Sequence, residues 1–137
     1  MNTHTKIHAS IGLEPYMTRI SARGHILVAD EPIDNGGKNQ GLSPTELVLS
    51  GLAACTAATM KMYADRKEWP LDRINVDISI YTEKNPDGTQ TAHIQRFIHI
   101  EGPLTEEQKG RMLQIAEKCP THRLLTNPIE ITTSEII

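Results

Sequence analysis

Ser43-Pro44-Thr45-Glu46-Leu47-Val48-Leu49-Ser50-Gly51-Leu52-Ala53-Ala54-Cys55-Thr56-Ala57-Ala58 is the stretch on which the fold turns. Ser43 is a good N-cap and Pro44 suits the first helical position. Glu46, three residues after Ser43, completes a capping box. The signals predict a helix from Pro44 to about Lys67, ended by Trp69-Pro70. Its centre is apolar or small all round, which predicts a helix buried on most sides. The apolar run Leu47–Met62 contains Ser, Gly, Thr and Lys, and reads as short of a bilayer span.

Outward from this helix the period changes from helical to alternating. Upstream, Lys6–Ile11, Tyr16–Ala22 and His25–Ala29 read as three strands of an antiparallel meander. Asp30–Leu42 is rich in Asp, Asn, Gly and Pro and reads as a loop. Downstream, Ile74, Val76, Ile78 and Ile80 alternate with polar residues. After the turn signal Asn85-Pro86-Asp87-Gly88, Ala92, Ile94, Ile98 and Ile100 form the next inward face, with Arg96 breaking the pattern. The two strands are expected to pair as a hairpin. Thr105 and Gln108 form a second capping box, opening a helix to about Lys118 with Leu104, Met112, Ile115 and Ala116 as its apolar stripe. Thr121–Thr126 allows another helical turn, and Ile129–Ile136 alternates as a last strand. The fold class is therefore α+β, in the order β-β-β-α-β-β-α-β, within a single domain over 1–137.

Composition narrows the function. The 137 residues carry 14 Lys and Arg against 17 Asp and Glu, a formal charge of −3. No basic excess marks a nucleic-acid or membrane surface, so neither partner is expected. Met1-Asn2-Thr3-His4 lacks an apolar signal core, so a cytoplasmic protein is the expectation. Aromatic residues make up 4% of the chain. The core must rest on aliphatic side chains, and a sizeable interface with another subunit fits. There is no G-x-G-x-x-G or G-x-x-x-x-G-K-[ST] motif. His93 and His99 share a strand face but stand about 20 Å apart, which argues against zinc.

Two cysteines remain. Cys55 lies within the buried helix, where a free thiol behaves as a small hydrophobe. Cys119 ends a helix beside His122 and Arg123, which favour a thiolate. It is otherwise an inert helix-ending cysteine. As a pair they fit a two-thiol redox cycle: one thiolate becomes a sulfenic acid, and the second condenses with it to a disulfide. Cys55 lies about three turns beyond Pro44, past the reach of the helix dipole, so its activation needs a cation from elsewhere. Glu46 is the nearest acidic residue, roughly 13 Å away along the axis. Its structural role is N3 of the capping box.

Three segments together resemble a known family: Ser43-Pro44-Thr45-Glu46-Leu47, Leu52-Ala53-Ala54-Cys55-Thr56 and Glu117-Lys118-Cys119-Pro120-Thr121-His122-Arg123. With Gly24-His25 and Ala29-Asp30-Glu31-Pro32, the chain resembles the OsmC/Ohr family over about residues 20–136. The resemblance implies an OsmC-like fold, with antiparallel sheets around a long central helix in an intertwined homodimer. It implies active sites at the subunit interface and a cofactor-free thiol peroxidase of organic hydroperoxides, returned to its reduced form by a dithiol. By motif, Cys55 falls on the peroxidatic position and Cys119 on the resolving one. The family glutamate directly follows the proline, where this chain has Thr45; Glu46 comes one residue later. The family arginine lies in the turn between the first two strands. Here that turn reads Gly12-Leu13-Glu14-Pro15, and Arg19 on the next strand is the chosen substitute, with Arg23 beside it. These departures place the chain nearer the OsmC-like branch. The rival reading is a protein that binds a small apolar ligand at the dimer interface, with little peroxidase activity. A purely structural domain is disfavoured by the cationic surround of Cys119.

Overall fold

The computed structural model describes residues 5–136. They comprise strands β1 (His8–Ile11), β2 (Thr18–Ala22) and β3 (His25–Ala29), helix α1 (Pro44–Lys67), strands β4 (Arg73–Lys84) and β5 (Gln90–Glu101), and helices α2 (Glu106–Ala116) and α3 (Pro120–Thr126). Along the chain the described residues divide into two compact units, 5–48 and 49–136, and the division falls in the sequence of α1.

In the first unit β1, β2 and β3 form an antiparallel meander. The following loop is organised by Asp30, which is 1% exposed. Its carboxylate accepts the N–H groups of Glu31 at 2.8 Å and Gln40 at 3.1 Å, while its own N–H donates to the Leu42 carbonyl. Bonds to backbone donors offset the cost of burying the charge. The loop contains one 3-10 turn, Ile33–Asn35. Ser43 then caps α1 as its sequence predicts. The Glu46 N–H donates to Ser43 Oγ at 3.2 Å, and the Ser43 N–H donates to Glu46 Oε1 at 2.8 Å.

The second unit holds the core. Within α1, Leu52, Thr56, Met60, Tyr63 and Ala64 are buried, a stripe at helical spacing. Met60, Tyr63 and Ala64 pack with Ile100 of β5, Leu104, and Met112, Ile115 and Ala116 of α2. Burial within this chain thus covers one stripe of α1, where its composition predicts burial on most sides; Val48 and Met62 remain exposed. By length and composition the 24-residue helix is long and apolar enough to cross a membrane, contrary to the sequence expectation. Its packing against the cluster gives it the place of a core helix.

The hairpin β4–β5 is a 12-residue antiparallel ladder. Ile74, Val76, Ile78 and Ile80 pair with Ile100, Ile98, Arg96 and Ile94, so one face is apolar except at Arg96. The tip is tightly bonded. The Asn85 N–H donates to the Thr89 carbonyl, Asp87 accepts from the Thr89 N–H and hydroxyl, and the Asn85 amide donates to the Thr89 and Thr91 hydroxyls. Gly88 has φ 92°, which a side chain would strain. Helix α2 starts with the Thr105–Gln108 capping box.

The end of the chain differs from expectation. Residues 129–136 form no strand, and α3 is the last element. Ile129, Ile131 and Ile136 do alternate, but they stand exposed, and a strand exists only where a second one completes its ladder.

Candidate active site

The site is built from the part of α1 beyond residue 48, β5 and the α2–α3 junction, all in the second unit. Cys119 is fully buried and is the N-cap of α3. Its Sγ accepts the His122 N–H at 3.3 Å. Pro120 occupies the first turn of α3, where a missing N–H costs nothing. The sequence expectation placed Cys119 at the end of one helix; the structure makes it the start of the next.

Cys55 is half-buried and also a free thiol. Its Sγ lies 3.9 Å from the Thr59 hydroxyl, one turn along α1. Burial pushes the Cys55 thiol up. Hydrogen bonds from the Thr121 hydroxyl and N–H, the Cys119 thiol and the Thr59 hydroxyl outweigh this and hold it below an ordinary thiol. The two cysteines, 64 residues apart in sequence, thus converge on one cluster with Thr121.

A second set of side chains stands behind Cys119. Thr56, one residue beyond Cys55, is fully buried. Its hydroxyl donates to the Leu52 carbonyl at 2.7 Å and lies 3.9 Å from Cys119 Sγ. Arg96 reaches in from β5 with only 11% of its side chain exposed. It donates from Nη1 to Thr56 Oγ1 at 3.0 Å and from Nη2 to Glu117 Oε2 at 3.3 Å. Nη2 also lies 3.1 Å from His122 Nδ1, while His122 Nε2 lies 3.4 Å from Glu117 Oε2. An open cleft of about 420 Å³ adjoins this network. Leu52, Ile94 and Leu125 supply apolar wall, Arg96, Glu117 and His122 polar wall, and neither thiol lines it. Among the described residues no cluster of His, Cys, Asp and Glu could hold a metal ion.

The other two sequence candidates lie elsewhere. Glu46 serves the α1 capping box, and the Ser43 N–H and hydroxyl hold its carboxyl below the usual range. Arg19 is exposed on β2, opposite Ser10 and Val28, and makes no ion pair among the described residues. Sequence reasoning did not single out Arg96, Thr56, Thr121 or Glu117 as site residues. The signal for Arg96 was present, since a guanidinium interrupts an otherwise apolar strand face. Thr56 and Thr121 carried none.

The Cys55 environment has a testable sign. Its folded pKa lies below that of an ordinary thiol, so the thiolate is favoured in the folded state. That stabilisation is present above the unfolded pKa and is lost as pH falls through the folded one. Peptide-resolved alkylation by iodoacetamide should therefore titrate at Cys55 with a midpoint below that of the same thiol in the unfolded chain. Thr121→Val should move the midpoint upward, because it removes one of the two Thr121 donors. An unmoved midpoint would show that the Thr121 hydroxyl does not hold the thiolate.

Comparison with known proteins follows from this geometry. The family profile described as OsmC-like protein matches residues 37–134, most of the chain and both cysteine segments. This chain belongs to the OsmC family. A hydroperoxide reductase of Mycoplasma genitalium is 31% identical over 91 residues, which is 64% of this chain and 64% of that protein's length. The crystal structure of an OsmC-like protein from Mycoplasma pneumoniae superposes with a TM-score of 0.78 at 24% identity, covering 91% of this chain and 89% of that one. An organic hydroperoxide resistance protein from Legionella pneumophila superposes with a TM-score of 0.67 at 20% identity, covering 90% of each chain. The α+β fold of this OsmC family member, with small antiparallel sheets and a long helix, is the fold of these structures.

Proposed function

We propose that the chain reduces organic hydroperoxides by a two-cysteine mechanism. The observation that carries this reading is the convergence of Cys55 and Cys119, the only two cysteines in the sequence, on one cluster with both thiols free. The Cys55 thiolate attacks the distal peroxide oxygen. An S–O bond forms, the O–O bond breaks, and the alkoxide leaves with a proton as the alcohol. The Cys119 thiol then attacks the sulfenic sulfur, forming the disulfide and releasing water. A dithiol reductant restores both thiols by exchange. The thiols supply the two electrons, so the cycle runs without a cofactor. Apolar side chains in the adjoining cleft favour an alkyl group by burying it.

The reading includes a homodimer. In one chain α1 leaves Val48 and Met62 exposed, and the final segment leaves Ile129, Ile131 and Ile136 exposed. A second copy is the partner that would cover them, and its strands would give 129–136 a ladder. Free thiols suit a reducing compartment, so the proposed location is the cytoplasm. Similarity to a hydroperoxide reductase supports the substrate class.

One equivalent of cumene hydroperoxide should remove two thiols from the reduced protein, and mass spectrometry should find a Cys55–Cys119 linked peptide. Hydrogen peroxide should act more slowly. Persistence of both thiols over many minutes would overturn the reading. The cleft walls, free of thiols, then favour a second one: a small apolar ligand held with its polar end at Arg96 and His122.

A further inference from the structure

We propose that Arg96 is the positioning residue for the resolving thiol, acting through Thr56 and His122. The inference rests on the two-cysteine reading for the role of Cys119, but its geometry stands apart from any peroxide. Among the described residues Arg96 hydrogen-bonds to neither sulfur. It holds both Thr56, whose hydroxyl lies beside Cys119 Sγ, and His122, whose N–H bonds to it.

Proton counting makes the arrangement specific. An arginine only donates. His122 Nδ1, facing Arg96 Nη2 at 3.1 Å, must therefore accept. The neutral ring then carries its proton on Nε2, which lies 3.4 Å from Glu117 Oε2 and donates there. The guanidinium thus fixes one tautomer and, with it, the ring at the start of α3. Thr56 obeys the same logic. Its hydroxyl has one proton, and the Leu52 carbonyl takes it at 2.7 Å. One oxygen lone pair accepts from Arg96 Nη1 at 3.0 Å. The same hydroxyl also faces Cys119 Sγ across 3.9 Å. Cys119 Sγ is then flanked by the His122 N–H on one side and the Thr56 hydroxyl on the other. Glu117, also bonded to Arg96, neutralises the guanidinium that β5 carries among Ile94 and Ile98.

Resolution needs that orientation. The Cys119 sulfur must approach the Cys55 sulfenic sulfur in line with the S–O bond. The S–S bond forms, the S–O bond breaks, and the hydroxyl leaves with the Cys119 proton as water. No outside electron enters. A small misplacement of an attacking group costs up to about a hundredfold in rate. Arg96→Met keeps length and apolar bulk but releases Thr56 and His122 together.

The test uses diamide, which oxidises thiol pairs without peroxide. One thiol adds across its N=N bond, sending its proton to the second nitrogen. The other thiol displaces the hydrazine as the disulfide forms. In Arg96→Met the second step should slow about ten- to a hundredfold, so that the single-adduct species accumulates. Arg96→Lys should fall between Met and the parent, because one ammonium cannot bridge three partners. In parallel, 15N spectra of the parent at about pH 8 should show His122 protonated on Nε2. His122 protonated on Nδ1 in the parent would overturn the proposal. So would a second step in Arg96→Met as fast as in the parent. Should the Met variant not fold, a Lys variant resolving at the parent's rate would overturn it. Absent peroxide turnover with the expected diamide series would remove the peroxidase reading and leave Arg96 assigned. Normal turnover with an unaffected diamide series would remove Arg96 alone.

Discussion

Cys55→Ser is expected to consume organic hydroperoxide at least about a thousandfold more slowly than the parent chain, since the nucleophile itself is removed. A serine hydroxyl at neutral pH offers almost no oxyanion, whereas the Cys55 thiol is held below its ordinary pKa by Thr121, Cys119 and Thr59. The companion variant separates the two thiols. Without reductant, Cys119→Ser should consume one equivalent of peroxide and stop at a Cys55 sulfenic acid, which dimedone traps. The parent should stop at the disulfide and give no adduct. Peroxide consumption by Cys55→Ser near the parent rate would sink the assignment of Cys55 as nucleophile. A Cys119→Ser protein that still protects its sulfenic acid from dimedone would sink the assignment of Cys119.

Met112→Ala should carry the largest cost in stability. Met112 is fully buried among Met60, Tyr63 and Ile115, where α2 meets the C-terminal half of α1. Truncating a buried methionine costs about 2–5 kcal/mol, from lost transfer energy and the cavity left behind. At about 4 °C per kcal/mol for a domain of this size, Tm should fall by about 8–20 °C. Differential scanning calorimetry reads this directly. A fall under about 2 °C would mean that the cluster closes over the gap, and that the α1–α2 contact is not the main source of stability.

Where local chemistry decides an element, the sequence was legible. Ser43, Pro44 and Glu46 mark the start of α1, and both its ends match the expected ones. Thr105 and Gln108 do the same for α2, and His25–Ala29 is a strand over its expected span. Cys55 and Cys119 were legible as a pair because no other thiols compete. The rest depends on what lies far away in sequence. Arg96 appears in one dimension only as a flaw in an apolar alternation. Its meaning requires Thr56, 40 residues upstream, and His122, 26 downstream. The Ile129–Ile136 pattern is real, yet hydrophobic alternation states which face a strand would bury and not whether a neighbour exists. Cys119-Pro120 read as a stop because proline ends helices. It is equally the first turn of α3, and only the His122 bond to sulfur distinguishes the two.

The bonded tip of the β4–β5 hairpin has a consequence for how this protein can change over evolutionary time. Asn85, Asp87 and Thr89 fix which residue of β5 stands opposite which residue of β4. Side chains alternate with period two, so an odd shift of that pairing turns the whole of β5 over. Arg96 would then face away from Thr56, and Gln95 or Phe97 would take its place. An insertion or deletion of one residue at an exposed turn, six residues and about 20 Å along the strand from Arg96, would thus act as an active-site mutation. Length changes there should survive selection chiefly in pairs, or when a bulge absorbs the odd residue.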